Sequence, residues 1–434
     1  MTEKSNIGAP PHKFKTAAIA RRSNIPFLGR TRFMANLQQK ATQLAPSTNF
    51  PLLSAFTPWN LWPWVWSYVK DMFHGKYKPY PTYASDGQDG VYPLTAADGG
   101  NTVRISIVGD WGTGTREAYD VGQLVQNKYA PDYTIHLGDV YYVGDDPEVQ
   151  ENFLGNSIGG QYTPVSWPTG KVGTFAMLGN HEMYGGGKPY FTEVLSYCKV
   201  GGGQAQKASF FCLETPQWRI LAIDTGYNSV GTPILGSIPI IKKIPFLGAN
   251  CKLEDDLIEW LRTNVQPQQK MKPTVVLSHH QYFSAFDDGD FPIPAKQLNE
   301  FFPDQEVVWI WGHEHRLAVY QLSQPGSQIK CYGRCVGHGG MPVECATPKA
   351  HNPPVTFYDC RCDHPIGDGQ CAGWNGFVNL TLNGYTLTLD YRDFTDHQLF
   401  VESFVGDSDG GLQYSFQTDP APILVPPGIA LKKC

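Results

Sequence analysis

The 434-residue sequence has few charged residues and no excess of basic ones. Asp, Glu, Lys and Arg make up 17% of the chain, the formal net charge is −6 and the pI is about 6.1. A chain without a broad positive field has little to attract a nucleic-acid backbone, so we expect no nucleic-acid partner. Hydrophobic residues account for 41% of the chain and aromatic residues for 13%. This composition predicts a globular protein with a sizeable core and excludes a charge-rich disordered chain.

The N-terminus lacks the apolar run that a secretory signal carries directly behind its basic residues, so we expect a cytoplasmic protein. Residues 1–100 are Pro- and Trp-rich and have no steady helical or strand period, which indicates an N-terminal extension. Within it, residues 56–68 (FTPWNLWPWVWSY) are too short for a membrane span and contain Pro58 and Pro63. They either make peripheral membrane contact or pack on the rest of the protein. We favour packing, because aromatic rings supply much buried area.

The C-x-x-C motif is also lacking. Six of the ten cysteines lie between residues 331 and 371, but none of them forms a C-x-x-C pair. The six are Cys331, Cys335, Cys345, Cys360, Cys362 and Cys371. Free thiols, disulfides and a structural zinc site are all compatible with such a cluster. We rank free thiols first and zinc last, because zinc ligands usually occur as close pairs.

From residue 103 onward, short β-rich runs each end at a polar cluster. Five of them are VRISIVGD, YTIHLGD, GTFAMLGNHE, PTVVLSHH and EVVWIWGHEH. Helix-like stretches at 117–128 and 253–264 lie between them, so the pattern predicts a layered α/β domain with these runs in a central sheet. Residues 376–391 predict a hairpin that turns at Asn-Gly and belongs to a second, antiparallel layer. We place the domain at 101–404 and treat 405–434 as a C-terminal tail.

The polar residues at the ends of these runs are all oxygen or imidazole donors. They are Asp110, Asp139, Asn180 with His181, His279 with His280, and His313 with His315. Strand ends in an α/β sheet border the crevice where ligands bind, and mixed carboxylate and imidazole ligands suit iron, manganese and zinc. Each residue alone is more often a turn residue, a helix cap or a packed histidine. Their joint occurrence in the order GD, GD, GNHE, HH, GHEH favours a site for two metal ions.

This series of motifs resembles that of the calcineurin-like metallophosphoesterases. The resemblance covers residues 103–393, about two thirds of the chain. Most members have a histidine two residues after the first Asp, where this chain has Gly112, and here Tyr142 stands three residues after Asp139. The purple acid phosphatase branch shares both features, which narrows the resemblance to that branch. It implies a layered sandwich of two mixed β-sheets flanked by helices.

Transferred motif by motif, the resemblance implies two sets of metal ligands. The first ion is bound by Asp110, Tyr142 and His315, and the second by Asn180, His279 and His313, while Asp139 bridges them. A phenolate beside carboxylates is a hard, anionic donor set, which favours Fe(III) at the first position. The neutral donors of the second position favour a divalent ion, which is Fe, Zn or Mn.

The implied activity is hydrolysis of small phosphate monoesters by a metal-bound hydroxide. His181 is the candidate general acid, and we expect Glu182 to orient it. Asn180, His181, His280 and Arg316 are the candidate substrate-binding residues, although Arg316 has a salt bridge as its alternative role. Two other functions remain open. One is a phosphodiesterase or nucleotide pyrophosphatase with the same ligands, and the other is a metal-bearing membrane-docking or interaction protein.

Overall fold

A computed structural model describes residues 75–83, 87–158, 163–230, 250–286, 289–349, 354–367 and 369–416. The segment at 56–68, for which we considered membrane contact, lies outside these residues, as does the tail from 417 onward. Among the described residues, no helix has the length and apolar character that a membrane crossing requires.

Strands contain more of the described residues than helices do. The strands are β1 (Val91–Pro93), β2 (Thr102–Val108), β3 (Tyr133–His136), β4 (Gly173–Ala176), β5 (Lys199–Val200), β6 (Gln204–Ala205), β7 (Phe211–Glu214), β8 (Arg219–Ala222), β9 (Thr274–Ser278), β10 (Glu306–Trp311), β11 (Leu317–Ser323), β12 (Lys330–Val336), β13 (Val355–Tyr358), β14 (His364–Gly367), β15 (Gln370–Ala372), β16 (Gly376–Asn383), β17 (Thr386–Asp393), β18 (Gln398–Gly406) and β19 (Leu412–Phe416).

The helices are short and lie between the strands. They are α1 (Arg116–Gln123), α2 (Asp146–Asn152), α3 (Asn180–Tyr184), α4 (Leu195–Tyr197), α5 (Asp255–Trp260) and α6 (Pro292–Leu298). Wider π-helical turns at Leu124–Tyr129 and Leu261–Val265 continue α1 and α5, and another at Tyr190–Val194 precedes α4. Single 3₁₀ turns occupy Gly201–Gly203 and Pro325–Ser327. Helices at the two stretches predicted from apolar spacing are therefore present, each with a π-helical C-terminal turn.

The strands form two large mixed sheets, which confirms the predicted fold class. One sheet has eight strands in the order β1-β7-β8-β9-β10-β12-β11-β13, and the other has seven in the order β19-β18-β17-β16-β2-β3-β4. The five motif runs are strands as predicted, but the expectation of one central sheet is wrong. Strands β2, β3 and β4 belong to the seven-stranded sheet, whereas β9 and β10 belong to the other. The hairpin β16–β17 is present and pairs with β2.

Both large sheets include strands outside residues 101–404. Strand β1, from the predicted N-terminal extension, pairs in parallel with β7 at the edge of the eight-stranded sheet. At the other end of the chain, β19 pairs with β18 at the edge of the seven-stranded sheet, although its residues belong to the predicted tail. Residues 91–93 and 412–416 are thus parts of the sandwich.

The main core lies between the two sheets, and side chains alternate into it. Val275 and Leu277 of β9 point into this core, while Val276 between them packs on the outer face. Helices α5 and α6 cover that outer face, and α1 and α2 cover the outer face of the seven-stranded sheet. Because β9 and β10 are buried on both faces, their sequences are continuous apolar runs, whereas β17 alternates between buried and partly buried residues.

The predicted cysteine cluster contains both a disulfide and free thiols. Cys345 and Cys362 form a disulfide, with their Cα atoms 5.7 Å apart. Cys331 and Cys335 are buried free thiols, and Cys371 is an exposed one. The structure therefore combines two of the alternatives considered for the cluster.

One buried ion pair joins the two sheets through the core. Arg334 of β12 binds Glu402 of β18 with two hydrogen bonds of 2.6 and 2.8 Å, and both side chains are fully buried. Tyr391 donates a further hydrogen bond to Glu402, and Arg334 donates to the carbonyl oxygen of Tyr320. A buried charge is tolerated only where such partners replace water, so each member of the pair depends on the other.

Replacing Arg334 with methionine should destabilise the protein strongly, because it leaves the Glu402 carboxylate buried and unpaired. We expect the free energy of unfolding to fall by about 3–5 kcal/mol in urea denaturation. The double variant Arg334→Met/Glu402→Leu removes both charges and should be more stable than Arg334→Met alone. The two charges would act independently if the double variant lost as much free energy of unfolding as Arg334→Met and Glu402→Leu lose together.

Candidate metal centre

The motif residues of both sheets meet at one edge of the sandwich. Asp110, Asp139 and Asn180 follow the C-terminal ends of β2, β3 and β4, and these three strands are parallel. His279 and His313 follow the ends of β9 and β10 in the eight-stranded sheet. Parallel strands present their carboxyl ends at the same edge, so the fold gathers these donors without disturbing the core.

The backbone at this edge is strained and tightly packed. Asp110, Asp139 and His313 have positive φ angles of 57°, 75° and 65°, which residues with a Cβ rarely adopt. A Cβ on Gly138 would lie 2.8 Å from Nδ1 of His279, and one on Gly312 would lie 2.6 Å from Oδ2 of Asp110. Glycine beside the donors is therefore required for their close approach, and strain of this kind is typical of functional sites.

The first group of donors consists of Asp110, His315 and a tyrosine hydroxyl. This hydroxyl belongs to Tyr141 and not to Tyr142. The Tyr141 hydroxyl donates to Oδ1 of Asp110 at 2.8 Å and lies 2.7 Å from Nε2 of His315. Tyr142, which the resemblance indicated, contributes its carbonyl oxygen to a hydrogen bond of 2.7 Å with Nδ1 of His181. Burial and the neighbouring Asp110 raise the pKa of Tyr141 well above its usual value, so this phenol would ionise only beside a cation.

The second group of donors, which consists of Asp139, Asn180 and His279, brings three acceptor atoms together. Oδ1 of Asn180 lies 3.0 Å from Nε2 of His279, and Oδ2 of Asp139 lies 3.3 Å from the same nitrogen. Nδ1 of His279 donates to the carbonyl oxygen of Leu137, so Nε2 of the neutral ring carries a lone pair. Among the described residues, no hydrogen bond reaches the buried Oδ2 of Asp139. Three lone pairs that face one another require a proton or a metal ion between them.

The protonation of His279 shows the same demand for positive charge. Burial alone would lower the pKa of His279, but the carboxylate of Asp139 and its contact with the ring raise it to about 9. Burial opposes ionisation of Asp139 too, yet the surrounding histidines hold its pKa well below the usual range. Without a metal, Nε2 of His279 therefore carries a proton that faces an anionic carboxylate, and a metal ion bound there would take the place of that proton.

Two overlapping groups have the spacing of metal ligands. The donor atoms of Asp110, Asp139 and His279 lie within 4.8 Å of one another, and so do those of His279, His280 and His313. Burial and the neighbouring histidines lower the pKa of His313 to about 3 and that of His280 well below its usual value. Both rings are therefore neutral, as metal-binding imidazoles must be. The residues fit two adjacent ions.

His280 and His181 lie beside these groups in different ways. Nδ1 of His280 lies 3.1 Å from the hydroxyl of Thr225, which holds the ring. The backbone N–H of His181 donates to Oδ1 of Asp139 at 3.0 Å, and its Nδ1 donates to the Tyr142 carbonyl oxygen. Nε2 of His181 is consequently directed towards Asp139, 3.8 Å from Oδ2, and the side chain is 10% exposed.

Glu182 has a role that the sequence did not reveal. We expected it to orient His181, but its carboxylate instead accepts from the backbone N–H groups of Asp139, Val140 and Gly179 at 2.9–3.2 Å. It thereby fastens the loop after β3 to the loop after β4. Burial and the neighbouring Asp139 raise its pKa to about 8. The sequence signal was its place three residues after Gly179, where a capping glutamate reaches back to the helix start.

Arg316 forms the salt bridge that was one of its two proposed roles. Its guanidinium donates to Oε2 of Glu344 at 2.5 Å and lies over the ring of Phe286, 4.0 Å from the centroid. The side chain is 3% exposed. Phosphate binding by Arg316 stays a prediction.

Residues 103–317 match the family model described as calcineurin-like phosphoesterase. This segment contains every candidate metal ligand, from Asp110 to His315. The chain therefore carries a domain of the calcineurin-like phosphoesterase family, and the family resemblance of its motifs is confirmed. No curated protein matches the sequence significantly.

Several solved structures match this chain at low sequence identity and with low TM-scores. Purple acid phosphatase PPD1 from yellow lupin seeds is 15% identical, with a TM-score of 0.46, and the match covers 76% of this chain and 58% of that one. PhoD is 13% identical, with a TM-score of 0.44 and coverages of 74% and 73%. GAP50, the anchor in the inner membrane complex of Plasmodium, is 14% identical, with a TM-score of 0.42 and coverages of 70% and 88%. The chain thus spans less than two thirds of the lupin protein.

Proposed function

We propose that this protein hydrolyses small phosphate monoesters with two bound metal ions. The observation that carries the proposal is the convergence of Asp139 Oδ2, Asn180 Oδ1 and His279 Nε2 on one point, next to the group around Asp110 and His315. When bound, two such ions would acidify a water molecule and neutralise the charge of a phosphate group. Membership of the phosphoesterase family supports the reaction class.

The ligand sets follow from the two groups of donors. We assign Asp110, His315 and a tyrosine to the first ion, and Asn180, His279 and His313 to the second, with Asp139 between them. The anionic first set favours Fe(III), and the largely neutral second set favours divalent Fe, Zn or Mn. For the tyrosine we prefer Tyr141 to Tyr142, because its hydroxyl contacts both Asp110 and His315.

His181 is the proposed proton donor to the leaving alkoxide. The Tyr142 carbonyl oxygen accepts the hydrogen on Nδ1 and fixes the orientation of the ring, so Nε2 faces the centre. Nε2 carries the proton to be donated when the ring is an imidazolium. Burial lowers the pKa of His181, and the neighbouring Asp139 carboxylate opposes that shift. Asn180 and His280 border the same space and are the proposed contacts of the phosphate oxygens.

A phosphodiesterase or nucleotide pyrophosphatase remains the nearest alternative, because the metal ligands are common to all three reactions and only the shape of the site separates them. A membrane-docking or interaction protein without turnover is the alternative from another class. The segment at 56–68 that would support it lies outside the described residues, whereas a complete donor set supports catalysis.

Metal analysis combined with an ester panel tests the proposed function. We expect the purified full-length protein to bind about two equivalents of iron, zinc or manganese and to hydrolyse p-nitrophenyl phosphate faster than bis-p-nitrophenyl phosphate. A strong preference for the diester would favour the phosphodiesterase. Absence of both bound metal and turnover on every ester would favour the interaction protein.

His181→Ala should retain both metals and lose about 10²–10⁴-fold in rate on esters with poor leaving groups. Phenyl phosphate needs protonation of the departing oxygen, whereas p-nitrophenyl phosphate needs it much less. The loss should therefore be larger for phenyl phosphate, measured as kcat at saturating substrate. Equal losses on the two esters would show that His181 does not donate the proton.

Tyr141→Phe and Tyr142→Phe form a matched pair that identifies the phenolate ligand. Phenolate bound to Fe(III) gives a visible charge-transfer band, so iron-loaded wild-type protein should be coloured. We expect Tyr141→Phe to abolish the band while Asp110, Asp139 and His315 still bind iron, and Tyr142→Phe to keep it. The reverse result would restore Tyr142 as the ligand, and a colourless wild-type protein would exclude a phenolate ligand altogether.

A further inference from the structure

Tyr184 contacts the Asn180 side chain from the next turn of helix α3. The two residues are four positions apart, so their side chains lie on the same face of the helix. Nδ2 of Asn180 donates a hydrogen bond to the hydroxyl oxygen of Tyr184 at 3.2 Å. The Tyr184 ring also lies 5.0 Å from the ring of His181, in an edge-to-face arrangement. Tyr184 is partly buried, whereas Asn180 is 5% exposed.

The orientation of the Asn180 amide decides what it offers to the centre. Its Oδ1 end faces Nε2 of His279, and its Nδ2 end faces Tyr184. A rotation of the amide by half a turn would replace the acceptor oxygen with an NH₂ group, which cannot bind a cation. In the orientation that a metal needs, the Tyr184 hydroxyl oxygen accepts from Nδ2 and so holds the amide in place. It also polarises the amide and so increases the negative charge on Oδ1.

We infer that Tyr184 is a positioning residue, whose hydroxyl oxygen holds the Asn180 amide with Oδ1 towards the second metal ion. The inference rests on the proposed function and adds a residue to it that no sequence motif marks. Groups that bind the remote side of a metal ligand commonly change metal affinity by about 10–100-fold. The Tyr184 ring itself is not required for this role, so the hydroxyl can be removed alone.

The direct test is the affinity of metal-depleted, full-length protein for Zn²⁺, measured by competition with a chromophoric chelator. Tyr184→Phe should weaken one of the two binding steps by about 10-fold and leave the other unchanged. Tyr197→Phe is the matched control. It also removes a hydroxyl that makes a hydrogen bond, in this case a partly buried one of 2.7 Å to the carbonyl oxygen of Trp167. It should leave both steps unchanged.

A second pair of variants separates orientation from general loosening of the helix. In Asn180→Ala the amide is absent, so the Tyr184 hydroxyl has no ligand to hold. Adding Tyr184→Phe to Asn180→Ala should therefore change the Zn²⁺ affinity by less than about twofold. Thermal unfolding of the metal-free variants, followed by circular dichroism, should give similar midpoints for Tyr184→Phe and Tyr197→Phe.

Equal losses of Zn²⁺ affinity from Tyr184→Phe in the two backgrounds would overturn the inference, as would an equal loss from Tyr197→Phe. If Asn180→Ala does not fold, the comparison of Tyr184→Phe with Tyr197→Phe decides alone. A wild-type protein that binds no metal would remove the proposed function and the inference together. Normal binding by wild type and Tyr184→Phe alike would remove the inference only.

Discussion

Mutual repulsion among acceptor atoms is the constraint that shapes this protein around its centre. Oδ1 of Asn180 and Oδ2 of Asp139 lie 3.0 and 3.3 Å from Nε2 of His279, and without a cation or proton between them these buried atoms would separate. The surrounding structure opposes that separation. Glu182 ties the loops that carry Asp139 and Asn180, and the Leu137 carbonyl oxygen fixes the His279 ring. Local order in the two loops is thus maintained largely by hydrogen bonds to backbone groups.

Both sheets contribute residues to the centre. Asp110, Asp139 and Asn180 extend from the seven-stranded sheet, whereas His279 and His313 extend from the eight-stranded one. Each proposed ion would therefore be bound by residues of both sheets, so metal binding and cohesion of the sandwich are linked. The linkage follows from mass action, because an ion that binds only the assembled site stabilises the assembled state. The Arg334–Glu402 pair joins the same two sheets inside the core.

The sequence predicted the motif strands well, because strands depend on local pattern, and the polar residues at their ends lie together at one edge of the sandwich. A run such as EVVWIW is apolar on both faces, and the polar residue at its end stands where parallel strands present ligands. The choice between two sheets depends on pairing across the fold, which a single run does not encode. The choice between Tyr141 and Tyr142 depends on the path of a turn, and spacing alone cannot decide between adjacent residues. Glu182 contacts backbone N–H groups. Because nearly every residue has one, the sequence does not indicate which of them Glu182 binds.

The pairing of β2 with β16 has a consequence for synthesis of the chain. Ser106 and Asn379, which are opposite each other in these strands, are 273 positions apart. At usual translation rates, β2 leaves the ribosome roughly ten seconds to a minute before its antiparallel neighbour exists. All candidate metal ligands emerge within that interval, since His315 precedes β16. The nascent protein therefore has a complete set of ligands while one edge of β2 is still exposed, and an unpaired strand edge invites association with other chains.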